Sequence, residues 1–160
     1  MRILGLDPSI VQTGYGVISV SERNISMVDY GIIKPKPKEP TANRLLTIFQ
    51  DVKEIIKMFN PTVFAIEEVF YGKNVKSALL LGHARGAALL AAAEYEIPIY
   101  EYSPRKIKQA VTGNGNATKE QVQFMVKASL KMDELPIPLD ASDGLAIALC
   151  HYQQFRFKDL

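Results

Sequence analysis

The chain has few of the residues on which disulfide and zinc sites depend. Cys150 is its only cysteine, so no disulfide can form within the chain. Its two histidines, His83 and His151, are far apart, and no His or Cys residues have the spacing of a zinc site. A single cysteine is typical of a reducing compartment, and we predict structural roles for both histidines.

The chain also lacks a long uninterrupted apolar run and a strong net charge. Its most apolar stretch, SALLLGHARGAALLAAAEY, is interrupted by His83 and Arg85, so it is too short to span a membrane. The apolar run at the start meets Asp7 too soon for a signal peptide. These absences predict a soluble, cytoplasmic protein with no membrane partner. The net charge of +2 allows a basic patch but does not establish a polyanionic partner.

The composition is that of a globular chain. Hydrophobic residues make up 48% and charged residues 22% of the 160 residues, which is an ordinary balance for a folded protein. This length suits one core, and no internal repeat or boundary interrupts it. We therefore predict a single domain over residues 1–160.

Residue periodicity predicts an α/β protein with a mixed five-stranded sheet flanked by helices. Apolar runs with short links favour an antiparallel three-stranded meander at 2–7, 13–20 and 24–33, followed by the linker KPKPKEP. Two further strands are predicted at 62–67 and 97–102. Helices are predicted at 41–60, about 74–95, 103–111, 118–130 and 140–154, with Thr41 and Asp140 as N-caps, a Ser-Pro start at 103 and a capping box at Thr118.

Carboxylates end two of these strands and begin the last helix. Asp7 and Glu67 close apolar strands, and the carboxyl ends of parallel strands share one edge of a sheet. Asp140 and Asp143 are three residues apart, so they share one face of a helical turn. Strand alternation does not choose between Glu67 and Glu68, because both faces of this strand look buried. These positions predict a cluster of four acids.

Such a cluster requires protons or cations. Unpaired carboxylates about 4 Å apart repel by roughly 1 kcal/mol in water and about 4 kcal/mol at an effective dielectric of 20. Oxygen ligands without His or Cys suit Mg²⁺ or Mn²⁺. Taken singly, Asp7 could belong to a turn, Asp140 could be a plain N-cap, and Asp143 could be an acid favoured by the helix dipole.

Basic and aromatic residues near the acids suit a nucleic acid, although solvated lysines and a Phe packed under its own loop are the alternatives. Basic side chains on three segments could contact backbone phosphates. An exposed Phe70 could stack on an unpaired base, which is worth about 1 to 3 kcal/mol. The basic candidates are Lys73, Lys76, Arg105, Lys106, Lys108 and Lys119.

The long predicted helix is apolar almost all round, so it must be buried on every side. One side of this helix would pack on the sheet, and the other side would be covered either by the C-terminal helices or by another subunit. Gly82 and Gly86 would allow close approach of a partner.

Five motifs cover about residues 2 to 153, and they are ILGLDPS...TGYGVI, FAIEEVF, KNVKSALLLGHARGAA, VKASLK and DASDGLAIA. In order and spacing they resemble the RuvC family of Holliday-junction resolvases, which have the ribonuclease H-like fold. The family usually shows Gly where Ser9 stands and Ala where Gly144 stands, and some members have His in place of Asp140. The resemblance implies an α/β, ribonuclease H-like endonuclease that resolves Holliday junctions by paired symmetric nicks, leaving 5′-phosphate and 3′-hydroxyl, in DNA recombination and repair.

The resemblance assigns the catalytic and metal-binding roles to Asp7, Glu67, Asp140 and Asp143, with Glu68 as a rim charge. It implies two Mg²⁺ ions per subunit, for which Mn²⁺ can substitute. Bridged by Asp7, these ions would bind the scissile phosphate, activate a water and stabilise the leaving 3′ oxygen.

The resemblance also implies the partners. They are a four-way DNA junction, a second copy of the chain in a homodimer with matching two-fold symmetry, and a branch-migration helicase of the RuvA and RuvB type. Lys108 and Lys119 match basic residues near the active site, and Phe70 matches a residue that inserts at the junction. DNA binding is thus expected of Phe70, Lys73, Lys76, Arg105, Lys108 and Lys119.

Three alternatives remain open. Another ribonuclease H-like nuclease could act on RNA–DNA hybrids. The segment GLDPSIVQTGYGV could be the phosphate-binding hairpin of an actin-like ATPase or sugar kinase, but those folds need two such lobes and this chain supplies one. A non-catalytic nucleic-acid binding module is disfavoured by the presence of all four acids.

Overall fold

The computed structural model describes residues 1–22, 24–68 and 72–156, in which five strands form one sheet. The order across the sheet is β3-β2-β1-β4-β5. The first three strands pair antiparallel, whereas β4 is parallel to β1 and β5 is parallel to β4, which confirms the predicted meander and mixed sheet. The strands are β1 Arg2–Asp7, β2 Thr13–Ser21, β3 Asn24–Ile33, β4 Val63–Glu67 and β5 Ile99–Tyr102.

Helices cover both faces of the sheet. Leu4 and Leu6 of β1 pack against the first two helices, whereas Ile3 points to the opposite face, which the last three helices cover. All element bounds lie within two residues of the predicted ones. The helices are α1 Thr41–Phe59, α2 Val75–Glu94, α3 Pro104–Thr112, α4 Lys119–Ser129 and α5 Leu139–Arg156.

The predicted helix starts are partly confirmed. Ser103 caps α3, and Thr118 forms the predicted capping box with Gln121 at the start of α4. The prediction for Thr41 is wrong: Pro40 is the N-cap of α1, and no side chain bonds there. Asp140 is not an N-cap either, because α5 begins one residue earlier and places Asp140 inside its first turn.

Glycines let α5 lie directly on the sheet. A Cβ at Gly14 of β2 would lie 1.6 Å from the carbonyl oxygen of Asp140, and one at Gly144 of α5 would lie 2.4 Å from the carbonyl carbon of Tyr15. No real side-chain carbon tolerates such distances. The close packing fixes the start of α5, and with it two of the acids, against the ends of β1 and β2.

The described residues of the chain do not bury the long helix α2 on every side. Its buried alanines pack in the same core as α1, on the opposite face of the sheet from the C-terminal helices. Cover by those helices, one of the two predicted alternatives, is therefore wrong. Val75, Leu79 and Leu90 remain exposed on its outer side. Among the described residues, no helix has both the length and the apolar character needed to cross a membrane.

Candidate active site

Two neighbouring strands bring Asp7 and Glu67 together. Leu6 of β1 is in register with Ile66 of β4, and the two acids are the next residue of each strand. Side chains alternate along a strand, so Asp7 shares the face of Ile3, which is the face that α5 covers. Glu67 shares that face with Ala65 by the same rule. The two carboxyl groups lie close enough for each to shift the pKa of the other.

The first turn of α5 completes the cluster. Carboxylate oxygens of Asp7, Asp140 and Asp143 lie within 4.8 Å of one another, and Glu67 lines the same depression as Asp7 and Asp143. The structure therefore brings together all four acids that the sequence singled out. Glu68 is exposed, and its backbone N–H donates to the carbonyl oxygen of Tyr102 at 2.9 Å.

Burial makes this concentration of negative charge unfavourable. Burial, and then the charge of Glu67, raise the pKa of Asp7 from 3.8 to about 8. Burial, and then the charge of Asp7, raise the pKa of Asp143 to about 6. The pKa of Glu67 is also raised, mainly by burial. Half-buried carboxylates that repel one another at this spacing are a donor set that fits hard divalent cations.

Two lysines lie beside the acids. The Lys119 ammonium is 3.4 Å from an Asp143 carboxylate oxygen, and Asp143 is the main cause of the raised pKa of Lys119. Lys119 and Lys108 line an open depression together with Asp7, Glu67 and Asp143. Its remaining walls are largely apolar side chains of α3, α4 and α5, which leaves the acids and lysines as the groups that can bind an anion.

The other predicted DNA-binding residues lie farther from the acids. Arg105 and Lys108 line an adjoining depression with Gly115, on the same side as Lys119. Lys73 lines a separate depression at the start of α2, and Lys76 is exposed in the first turn of that helix. Phe70 lies outside the described residues. The structure thus groups the basic residues of α3 and α4 with the acids and leaves those of α2 apart.

Two polar contacts to the acids were not predicted. The Gln12 amide nitrogen donates to Asp140 Oδ2 at 2.7 Å. Arg85 of α2 donates through Nε to the backbone carbonyl of Glu67 at 3.3 Å and forms an ion pair with Glu101. Gln12 and Asp140 are 128 positions apart, so no local pattern could have revealed their contact.

The histidines lie outside the acid cluster, as predicted. His151 is buried, and its Nδ1 is 2.7 Å from the hydroxyl of Tyr102. His83 is exposed, and its Nδ1 is 2.6 Å from the carbonyl oxygen of Leu79 in the same helix. Both contacts are structural.

Known proteins resemble this chain over almost its whole length. The family model for the crossover junction endodeoxyribonuclease RuvC matches residues 3–151. The chain is 47% identical to the crossover junction endodeoxyribonuclease RuvC of Desulforamulus reducens, over 96% of this chain and 94% of that one. It is 43% identical to the protein of the same name from Pelotomaculum thermopropionicum, over 99% of this chain and 96% of that one.

The fold is shared with a solved resolvase. Thermus thermophilus RuvC in complex with a Holliday junction substrate superimposes with a TM-score of 0.93 at 37% identity, covering 99% of this chain and 96% of that one. This match confirms the predicted α/β, ribonuclease H-like fold. The family match also favours the resolvase interpretation over the other nuclease and the actin-like alternative. By its family model, its relatives and its fold, the chain belongs to the RuvC family of crossover junction endodeoxyribonucleases.

Proposed function

We propose that this chain resolves Holliday junctions by metal-dependent phosphodiester hydrolysis at the cluster of Asp7, Glu67, Asp140 and Asp143. Paired symmetric nicks would leave 5′-phosphate and 3′-hydroxyl ends in DNA recombination and repair. The observation that carries the proposal is the assembly of these four acids at one edge of the sheet, next to Lys108 and Lys119. Asp7, Glu67, Asp143 and the two lysines come from five different elements, β1, β4 and the helices α3 to α5, and converge on one depression.

The acids would hold Mg²⁺, two ions per subunit, with Mn²⁺ as a substitute. Bound cations would offset the negative charge of the acids and of the scissile phosphate. They would also favour ionisation of the attacking water and stabilise the leaving oxygen. The chain itself supplies a fixed geometry. Asp7 and Glu67 lie on paired central strands, and the close packing of Gly14 and Gly144 holds the start of α5 against them.

The lysines would hold the DNA backbone over the acids. Lys119 lies within 3.4 Å of Asp143, so it already offsets part of the charge that would repel a phosphate. Lys108 and Arg105 extend this positive charge along α3. Lys73 and Lys76, at the start of α2, would contact a more distant part of the substrate. Phe70 would stack on a base at the crossover, as the family resemblance implies.

An exposed apolar stripe on α2 supports a homodimer. Val75, Leu79 and Leu90 are 72%, 60% and 66% exposed, and they share one side of the helix with Gly82 and Gly86. Apart from the helix's own nearby backbone, no atom of the described residues lies within 4 Å of a Cβ built on either glycine, so a partner could approach closely there. A two-fold dimer would present two sites to a junction that is itself nearly two-fold symmetric.

The remaining parts of the proposal concern the whole chain. A single nuclease domain over residues 1–160 and action in the cytoplasm rest on its length and composition, and cooperation with a branch-migration helicase of the RuvA and RuvB type rests on the family likeness.

The direct test is incubation of the protein with a synthetic four-way junction and with its linear duplex control. With Mg²⁺, and also with Mn²⁺, we expect paired nicks in the junction and none in the duplex. A chelator should abolish cleavage but leave junction binding intact in a gel-shift assay. Equal cleavage of both substrates, or cleavage that persists in chelator, would contradict the proposal.

A further inference from the structure

We propose that Gln12 is a positioning residue that holds Asp140 in place for cation binding; this inference rests on the proposed function of the acid cluster. The Gln12 amide donates to Asp140 Oδ2 at 2.7 Å, which is a short, charge-assisted hydrogen bond. A carboxylate has about four acceptor positions, so one such bond leaves room for a cation.

Each of the other acids has a neighbour of its own. Asp7 and Glu67 lie side by side on paired strands, and Asp143 contacts Lys119. Among the residues that the structure describes, Gln12 is the only hydrogen-bonding partner of the Asp140 side chain. Without it, the side chain of Asp140 would be free to change rotamer at the start of α5.

Gln12 is itself presented by a rigid connection between β1 and β2. The buried Thr13 hydroxyl donates to the carbonyl oxygen of Ser9 at 2.7 Å and accepts from the Ser9 N–H at 3.0 Å. Arg44 of α1 donates to the carbonyl oxygen of Ile10 at 3.0 Å. Ser9, which stands where the family usually has Gly, accepts a bond from the N–H of Val11. The backbone on both sides of Gln12 is therefore held in place, which fixes the point from which its side chain reaches Asp140.

The bond also ties two ends of the site together. Asp7 ends β1, and Gln12 directly precedes β2, so the same short connection carries one acid and the partner of another. Gly14, two residues after Gln12, packs its backbone against the carbonyl of Asp140. The main-chain contact sets the distance of α5 from the sheet, and the side-chain bond sets the direction of the carboxylate.

The test measures cation binding without DNA or turnover. Mn²⁺ would be titrated calorimetrically into the metal-free wild type, Gln12→Met, which keeps the length of the side chain but has no donor, and Gln12→Ala. We expect both variants to bind Mn²⁺ about 10- to 100-fold more weakly, as is common when a hydrogen-bond partner of a metal ligand is removed. Val11→Ala, a change at an exposed position of the same connection, should bind like the wild type.

A double-mutant comparison separates positioning from general destabilisation. In an Asp140→Asn background, Gln12→Met should change Mn²⁺ affinity by less than about twofold, because the group it positions is gone. If Gln12→Met lowers Mn²⁺ affinity as much in that background as in the wild type, or if Gln12→Met alone binds Mn²⁺ like the wild type, Gln12 does not position Asp140. Either result would leave the proposed nuclease function unaffected. If the wild type binds no Mn²⁺, or if Asp7→Asn binds it as tightly as the wild type, the metal site fails and this inference fails with it.

Discussion

At the scale of single residues, the acid cluster makes the metal-free protein less stable as the pH rises. Asp7 and Asp143 have pKa values of about 8 and about 6, both above their ordinary 3.8. Between about pH 4 and pH 8 the folded chain therefore binds more protons than the unfolded chain, and its free energy of unfolding falls with increasing pH. Cations that bind the ionised acids would oppose this loss.

Asp7→Asn should remove most of this pH dependence. The amide cannot ionise, so we expect the metal-free variant to be more stable than the wild type at pH 8, by on the order of 1 to 3 kcal/mol, and similar to it near pH 4. Urea unfolding in chelator at both pH values measures the difference. A variant that is less stable than the wild type at pH 8 would show that ionisation of the acid cluster does not lower the free energy of unfolding.

Phe70 is the residue for which the prediction rests on sequence alone. It stands three positions after Glu67, so it should reach DNA near the scissile phosphate. If it stacks on an unpaired base, Phe70→Ala should slow single-turnover cleavage about five- to a hundredfold. The loss should shrink on a junction with bases already unpaired at its centre. Equal loss on both substrates, with unchanged circular dichroism, would make Phe70 a packing residue.

At the scale of the elements, the contact between α5 and β2 aligns two acids with the two from the strands. Gly14→Ala would place a methyl group against the carbonyl of Asp140. We expect a loss of about 1 to 3 kcal/mol in the free energy of unfolding. We also expect a fall in cleavage rate of up to about a hundredfold, because a shift of about 1 Å misaligns the site.

Denaturant unfolding and single-turnover cleavage measure these two effects. Val11→Ala, in the connection that precedes Gly14, serves as the control. Full stability and full activity in Gly14→Ala would show that α5 does not need this close approach.

Local sequence patterns predicted the helices and strands well, because periodicity and capping depend on residues that are close in the sequence. The capping box of Thr118 and Gln121 is one example. Local patterns could not predict contacts between distant segments, such as the hydrogen bond from Gln12 to Asp140. Strand alternation alone did not choose between Glu67 and Glu68, because both faces of β4 are apolar, and the choice of Glu67 came from the family resemblance. The position of α5 places Glu67 on the same face of the sheet as Asp7.

At the scale of the whole molecule, the apolar stripe of α2 predicts an interface between two copies of the chain. Leu79→Glu or Leu90→Glu should weaken the dimer about tenfold or more and leave the protomer folded, because both side chains are exposed in it. Ala88→Glu should unfold the protomer instead, because Ala88 is buried in its core.

Sedimentation at micromolar concentration tests the dimer. The wild type should have twice the chain mass of 17.8 kDa, and Phe124→Glu, at an exposed position on α4, should sediment like it. A wild type that sediments at the mass of one chain while it still resolves junctions would rule out the dimer as a requirement.

The cleavage of a four-way junction in Mg²⁺ by wild type, Asp7→Asn and Glu68→Gln tests the central claim most directly, because two acids of similar size are compared, one inside the cluster and one outside it. We predict that Asp7→Asn loses at least about a thousandfold in single-turnover rate, yet binds the junction as tightly or more tightly, because repulsion of the phosphate falls. Glu68→Gln should stay within about threefold of the wild type. Near wild-type nicking by Asp7→Asn would contradict the assignment of the acid cluster as the active site.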